Sequence, residues 1–347
     1  MKKILIPALL INFYLIAAQT PTEYPEIPRI DVHTHVANDY QAIENYLKLR
    51  ELLQKSYSVD YAFWINLSDR NKPIQNLDSV LMMSQNRSLC CFGDYEAHTG
   101  LTYHPDDLMR KTDEGFIGYK IWYGTKSRRL KPGETGYPYI DDAYNEPMLA
   151  KMEELGVLAA SMHIADPNGP YGNRTKWCPD PVEYWRMIRA LTNVLEKHPE
   201  LVVVGAHGFW LMCQDAQIDY LRYILTTCPN VYIDLAATFQ YQNMVDYENL
   251  RSFMIEYADR ILYGTDASRW KTDEETQHMA EAYIRSFRIL ETDQIVEGGF
   301  FGDGPTKGLD LPKDILEKIY YKNALRIYPG LEESMKALGY NICRMEP

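Results

Sequence analysis

The chain has 347 residues, 46% of them hydrophobic, with a formal charge of −12 and no low-complexity tract. Such a length suits a single α/β barrel, which takes about 250 residues before insertions, and it provides enough apolar side chains for a full core. An acidic balance without a recurring Lys/Arg cluster argues against a nucleic-acid groove or an anionic membrane surface, and favours a small-molecule partner.

The N-terminus differs in character from the rest. "MKK" precedes the apolar run "ILIPALLINFYLIAA", and the small residues Ala17 and Ala18 come before "QTPTEYP". This order of a short positive region, an apolar stretch and small residues predicts a cleavable export signal over 1–18, followed by an N-terminal extension over 19–28. A membrane-spanning helix needs about 20 apolar residues, and Pro7 interrupts this run. Cleavage would remove Lys2 and Lys3, take the charge from −12 to −14, and place the mature protein outside the cytoplasm, periplasmic or secreted. The six cysteines are scattered and contain no CxxC, so they do not form a disulfide framework. Cys90 and Cys91 lie in an apolar run and read as core, and a single bridge in an oxidising compartment stays open.

From residue 29 onward, apolar β-type runs alternate with helical patterns. The runs are "RIDVHTHV" from Arg29, "YAFWINLS" from Tyr61, "LCCFGDYEA" from Leu89, "GFIGYKIWYG" from Gly115, "VLAASMHIAD" from Val157, "LVVVGAHG" from Leu201, "VYIDLAA" from Val231 and "ILYGTDAS" from Ile261. Between them, stretches such as "QAIENYLKLRELLQKSY", "EPMLAKMEELG", "VEYWRMIRALTNVLEKHPE" and "VDYENLRSFMIEYADR" carry helical spacing, and Gly156 reads as a helix stop. Eight apolar strands separated by amphipathic helices predict a parallel sheet closed into a (β/α)8 TIM barrel, one domain over 29–347, with "LPKDILEKIYYKNALRIYPG" as an extra C-terminal helix. A doubly wound open sheet is the alternative, but it would not gather residues from the first and last strands.

Closure concentrates chemistry at the C-terminal ends of the strands. His33 and His35 end the first strand with side chains on the same face, His163 ends the fifth, His207 the sixth and Asp266 the eighth. Four of the eight histidines in the chain would therefore meet an aspartate at one mouth. His98 and His104 follow strand three and are not read as ligands, while His198 and His278 fall on helices and read as surface residues.

The segments "IDVHTH", "SMHIADP", "VVVGAHG", "NVYIDLA", "RILYGTDAS" and "KNALRIYPG" together resemble the amidohydrolase superfamily. The likeness is to the branch of aminocarboxymuconate-semialdehyde decarboxylase, hydroxybenzoate-type decarboxylases and lactone hydrolases. It spans nearly the whole chain after the leader. The resemblance implies that His33, His35, His163 and Asp266 bind one divalent metal, most often zinc, and that His207 is a catalytic histidine outside the ligand set. Neutral imidazoles with one carboxylate also suit zinc or manganese on chemical grounds, and Asp266 and His207 suit proton transfer.

Lys120, in "GYKIWYG", has several readings: a carboxylated bridge to a second metal, as in some superfamily members, a grip on a substrate carboxylate, or an ion pair. The latter two are favoured, and a second metal is expected only if Lys120 is carboxylated. Aromatic and basic residues in the loops, namely Trp122, Arg174, Trp210 and Arg269, are the other candidate substrate contacts for a planar or carboxylated molecule. The sequence thus supports a metal-dependent hydrolase of a lactone, ester or amide. A nonoxidative decarboxylase of a carboxylated ring is the alternative, and a noncatalytic binding barrel the third reading. Export favours hydrolysis, and the resemblance leaves a homodimer open.

Overall fold

In the computed structural model, residues 22–37, 39–68, 73–93, 103–124, 139–168, 178, 180–298 and 303–342 are described. The export signal expected over 1–18, Arg174, His98 and Cys343 lie outside them. Eight strands form one parallel sheet in sequence order: β1 (Arg29–Thr34), β2 (Tyr61–Leu67), β3 (Ser88–Gly93), β4 (Tyr119–Tyr123), β5 (Ala159–Ile164), β6 (Val203–Gly205), β7 (Val231–Asp234) and β8 (Ile261–Leu262). Beyond the last strand the chain returns to the first. Val32 N donates to the Tyr263 carbonyl (3.0 Å), Asp266 N to His33 O (2.9 Å) and His35 N to Ala267 O (2.8 Å), so the sheet closes on itself. The fold is the (β/α)8 barrel that the strand pattern predicts.

Helices α1 (Tyr40–Tyr57), α2 (Leu77–Met83), α3 (Asp107–Asp113), α4 (Glu146–Leu155), α5 (Pro181–Lys197), α6 (Asp215–Thr227), α7 (Tyr247–Glu256) and α8 (Asp273–Glu291) follow the strands in turn. Their boundaries have local causes. Asp39, Asp180 and Asp246 accept from the first backbone N–H groups of α1, α5 and α7, and Thr272 with Glu275 forms a capping box at α8. Gly156 ends α4 in a left-handed conformation, as its position after "EEL" predicts.

Two apolar layers result. Ile30, Val32, Phe63, Ile65, Ala160, Val204 and Leu262 belong to a cluster with Leu325, Tyr328, Leu331 and Met335, which plug the end opposite the site, while the larger cluster joins the strands to the outer helices. The plug departs from the single extra helix read in the sequence. It comprises α9 (Lys313–Glu317), a π-helical turn over Lys318–Lys322, α10 (Asn323–Ile327) and a separate α11 (Leu331–Ala337). The Ile319 carbonyl in the π turn accepts from Tyr263 N (2.9 Å), and Asn323 donates to the Ala258 and Ile261 carbonyls (both 2.7 Å), which fastens the plug under β8.

No helix among the described residues is long and apolar enough to cross a membrane. No disulfide is present among them, and Cys90, Cys91, Cys178 and Cys213 are buried thiols. One surface expectation fails. His198 is only 4% exposed, because Glu146 and Glu153 of α4 fold over it (Nε2 at 3.4 Å and Nδ1 at 2.9 Å) at the end of α5.

Candidate metal centre

The mouth of the barrel is built on strained backbone. Ten non-glycine residues among those described have positive φ, and six of them, Ala165, His207, Phe209, Trp210, Ala237 and Asp266, follow strands β5 to β8. His207 lies just beyond β6 rather than on it, in a left-handed turn that continues through Gly208, Phe209 and Trp210. Gly205 is required beneath this turn, since a Cβ there would come within 2.4 Å of the Phe209 ring.

Left-handed backbone costs a non-glycine residue about 1–2 kcal/mol, so the three non-glycine members together cost about 3–6 kcal/mol. Asp234, the last residue of β7 and fully buried, offsets this cost. Its Oδ1 accepts from His207 N (2.8 Å) and Ala236 N (3.1 Å), and such hydrogen bonds to a charged group contribute about 1.5–3 kcal/mol each. The Trp210 ring stacks on His207 with centroids 4.3 Å apart and holds the imidazole from the other side.

The titratable side chains gather around Asp266. His33 Nε2 and His35 Nε2 each lie 3.4 Å from Asp266 Oδ1, which puts the imidazole of His33 on β1 and that of His35, one residue beyond the strand, on one face, as the alternation predicts. One ligand atom from each of His33, His207 and Asp266 lies within 4.8 Å of the others. His163 stands one hydrogen bond further away. Its Nδ1 is 3.2 Å from His207 Nε2, and its Nε2 is 3.3 Å from Asp166 Oδ1 and 3.4 Å from the Trp210 indole nitrogen. Gly124 leaves room here, because a Cβ would come within 3.1 Å of His163 Nε2.

Burial pushes His35, His163 and, most strongly, His207 below the ordinary imidazole value, so these rings are neutral at neutral pH. His33 moves upward: burial is the largest influence and would lower it, but the charge and hydrogen bond of Asp234 together with the hydrogen bond to Asp266 outweigh it. Asp266 is held well below the usual carboxylate range, because hydrogen bonds from His33 and His35 outweigh its desolvation. Four imidazoles, three of them neutral, gathered about an ionised carboxylate form a donor set that fits a divalent cation such as zinc or manganese, whose binding displaces any proton on the ligand nitrogens.

Lys120 is buried on β4. It donates to Ser161 Oγ (2.8 Å), and its Nζ is 3.4 Å from His33 Nε2. Trp122 tilts against His163 with centroids 5.4 Å apart, and Arg269 is half-buried after β8. None of Lys120, Trp122, Trp210 or Arg269 lines the cavity of about 630 Å³ that opens behind Asp266. That cavity runs along α8 past Ala237, Gln240, Ser268 and Arg285, and Arg285 is already paired with Asp303 (2.6 Å).

Three carboxylates and a hydroxyl escaped the sequence reading: Asp31, Asp166, Asp234 and Ser161. Asp31 sits behind the site, where it accepts from Thr265 Oγ1 (2.6 Å), Tyr283 OH (2.6 Å) and the backbone nitrogens of His33 and Thr265 (3.1 and 3.2 Å). A carboxylate inside "IDVHTH" or "NVYIDLA" is the available signal, since an acid in an otherwise apolar strand must find partners when buried.

Comparison with known proteins agrees with this architecture. No curated protein matches the chain at a significant level. Among solved structures, an uncharacterized TIM-barrel protein from Bordetella bronchiseptica is similar at 16% identity and a TM-score of 0.50, over 89% of this chain and 99% of that one. A dihydroorotase from Saccharomyces cerevisiae, solved with 5-fluoroorotic acid, is similar at 12% identity and a TM-score of 0.53, over 89% of this chain and 85% of that one. At these identities the likeness concerns the fold. The sequence model described as "Amidohydrolase" matches residues 106–330, well over half the chain, and the protein belongs to that amidohydrolase family.

Proposed function

We propose that the protein is a metal-dependent hydrolase acting on a lactone, ester or amide of a small, carboxylated molecule. The observation that carries this reading is the convergence of His33, His207 and Asp266 within 4.8 Å at the barrel mouth, with His35 3.4 Å from Asp266. In this reading His33, His35, His163 and Asp266 hold one divalent ion, zinc by preference. His163, now hydrogen-bonded to His207 and Asp166, would supply one ring nitrogen to that set. When bound, such an ion acidifies water and polarises a carbonyl oxygen.

The chain's own groups supply the rest. Asp266, ionised and partly open to solvent, accepts a proton from the attacking water. His207 has its Nδ1 against the Ala236 carbonyl (2.8 Å), so its Nε2 faces the site as an acceptor. After taking up a proton it can donate to the leaving group. Trp210 covers the His207 ring, which keeps water from one face. The ammonium of Lys120, buried 3.4 Å from His33, supplies a positive end for a substrate carboxylate, with Trp122, Arg174, Trp210 and Arg269 as further contacts.

Lys120 also favours a second reading, nonoxidative decarboxylation, in which a carboxylate held beside that cation is lost as carbon dioxide. Export through the leader, action in the periplasm or outside the cell, and a homodimer complete the proposal. The test is turnover of a panel of lactones, esters, amides and hydroxybenzoates by the metal-loaded protein. A new carboxylate without carbon dioxide is expected. Carbon dioxide release would replace hydrolysis by the second reading, and inertness across the panel with metal bound would overturn both.

A further inference from the structure

We propose that Asp234 is a positioning residue that sets both functional histidines, dictating which nitrogen of His33 is open to a metal and how His207 enters the site. The inference rests on the metal reading of the same site.

Asp234 is fully buried at the end of β7 and spends both oxygens on the histidines' surroundings. Oδ2 lies 2.8 Å from His33 Nδ1, while Oδ1 accepts from His207 N at 2.8 Å and from Ala236 N at 3.1 Å. The second oxygen therefore anchors the strained left-handed turn at its first residue, and it also orders the loop whose Ala236 carbonyl faces His207 Nδ1 (2.8 Å). A carboxylate only accepts, so neutral His33 carries its proton on Nδ1 and leaves the Nε2 lone pair exposed. At the other ring nitrogen the contacts are longer and opposed: Lys120 Nζ, which only donates, and Asp266 Oδ1, which only accepts, each lie 3.4 Å from His33 Nε2, so the 2.8 Å contact with Asp234 decides the tautomer.

The isosteric variant gives a sharp consequence. Asp234→Asn keeps the shape but has one acceptor oxygen where the native residue uses two. The two backbone N–H groups cannot turn around, so the amide oxygen must stay with them and the NH₂ must face His33. His33 Nδ1 then becomes the acceptor, its proton moves to Nε2, and the nitrogen meant for the metal is blocked. A merely structural role for Asp234 would lower stability without moving that proton.

The test has two arms on the full chain. In the metal-free wild-type protein at pH 8, nitrogen-15 NMR of the imidazoles is expected to show His33 protonated at Nδ1, and in Asp234→Asn at Nε2. Zinc affinity, measured by competition with a chromophoric chelator, is expected to fall about 10- to 100-fold in the variant, the range for loss of a carboxylate behind a metal-binding histidine. Finding His33 of the wild type protonated at Nε2 would overturn the inference whether or not the variant folds. So would a folded variant with unchanged affinity. Absence of zinc binding by the wild type would instead sink the metal reading, while the NMR arm would still decide the tautomer.

Discussion

The two ends of the barrel bury charge in opposite ways. At the closed end, Arg29 and Glu291 pair at 2.7 Å with neither side chain exposed; Tyr320 donates to the same carboxylate (2.8 Å), and Arg29 also reaches the carbonyls of Tyr24 and Ile27. The guanidinium lies over Phe287 and Tyr320, and residues 22–28 are tied to the barrel through it. Charge is matched by opposite charge there, on relaxed strands. At the mouth, the imidazoles of His33, His35, His163 and His207 crowd around the ionised Asp266 carboxylate with the Lys120 ammonium beside them, on backbone that is left-handed at six positions. Strained backbone under a cluster of imidazole nitrogens is a cost that a functional site bears, and a divalent cation is a group such nitrogens suit.

Substitutions at the two ends should therefore separate stability from chemistry. The largest effect is expected from Asp266→Asn, which removes the proton acceptor and weakens the cation site. Turnover should fall about 10⁴-fold with the fold retained by circular dichroism, and a rate within tenfold of the native one would remove Asp266 from the mechanism. At the closed end, Glu291→Ala leaves the Arg29 charge buried and alone. It should cost about 3–5 kcal/mol in urea unfolding while metal content per folded chain stays the same. His207→Ala should lower turnover about 10²- to 10³-fold with metal content unchanged; loss of the metal along with the rate would make His207 a ligand.

The smallest effect concerns Asp31, which lies between the two ends. Burial pushes its carboxyl up to about 6 despite the hydrogen bonds from Thr265 and Tyr283. With a folded value above the ordinary 3.8, the folded state holds the proton longer. Its contribution is thus fully present below about pH 4 and is lost as pH rises through 6, amounting to about 3 kcal/mol. Asp31→Asn should flatten stability between pH 4 and 6 relative to the native chain, and an identical pH slope in the two proteins would show that Asp31 ionises normally.

The barrel was legible because each strand is an apolar run followed by a helical period, and that pattern survives modest errors at the ends. Those errors are instructive. β4 begins at Tyr119 rather than Gly115, and β8 spans only Ile261–Leu262, although the chain runs on to Asp266. Placement of His33, His35, His207 and Asp266 followed from strand order alone, since closure is what joins the first strand to the last. Asp234 was not legible in the same way. In "VYIDL" it reads as one residue of an alternating strand, and its importance arises from β6 and β1 converging on its two oxygens. His198 misled for a similar reason: its helix-end position looks exposed until α4 covers it with Glu146 and Glu153.

The central claim is that the mouth holds a single divalent cation on His33, His35, His163 and Asp266. Elemental analysis of the dialysed full-length protein beside Asp266→Asn and a His33→Ala/His35→Ala double variant tests it directly. The account predicts about one divalent ion per native chain and little in either variant; a native chain that carries no ion after incubation with zinc or manganese would contradict it.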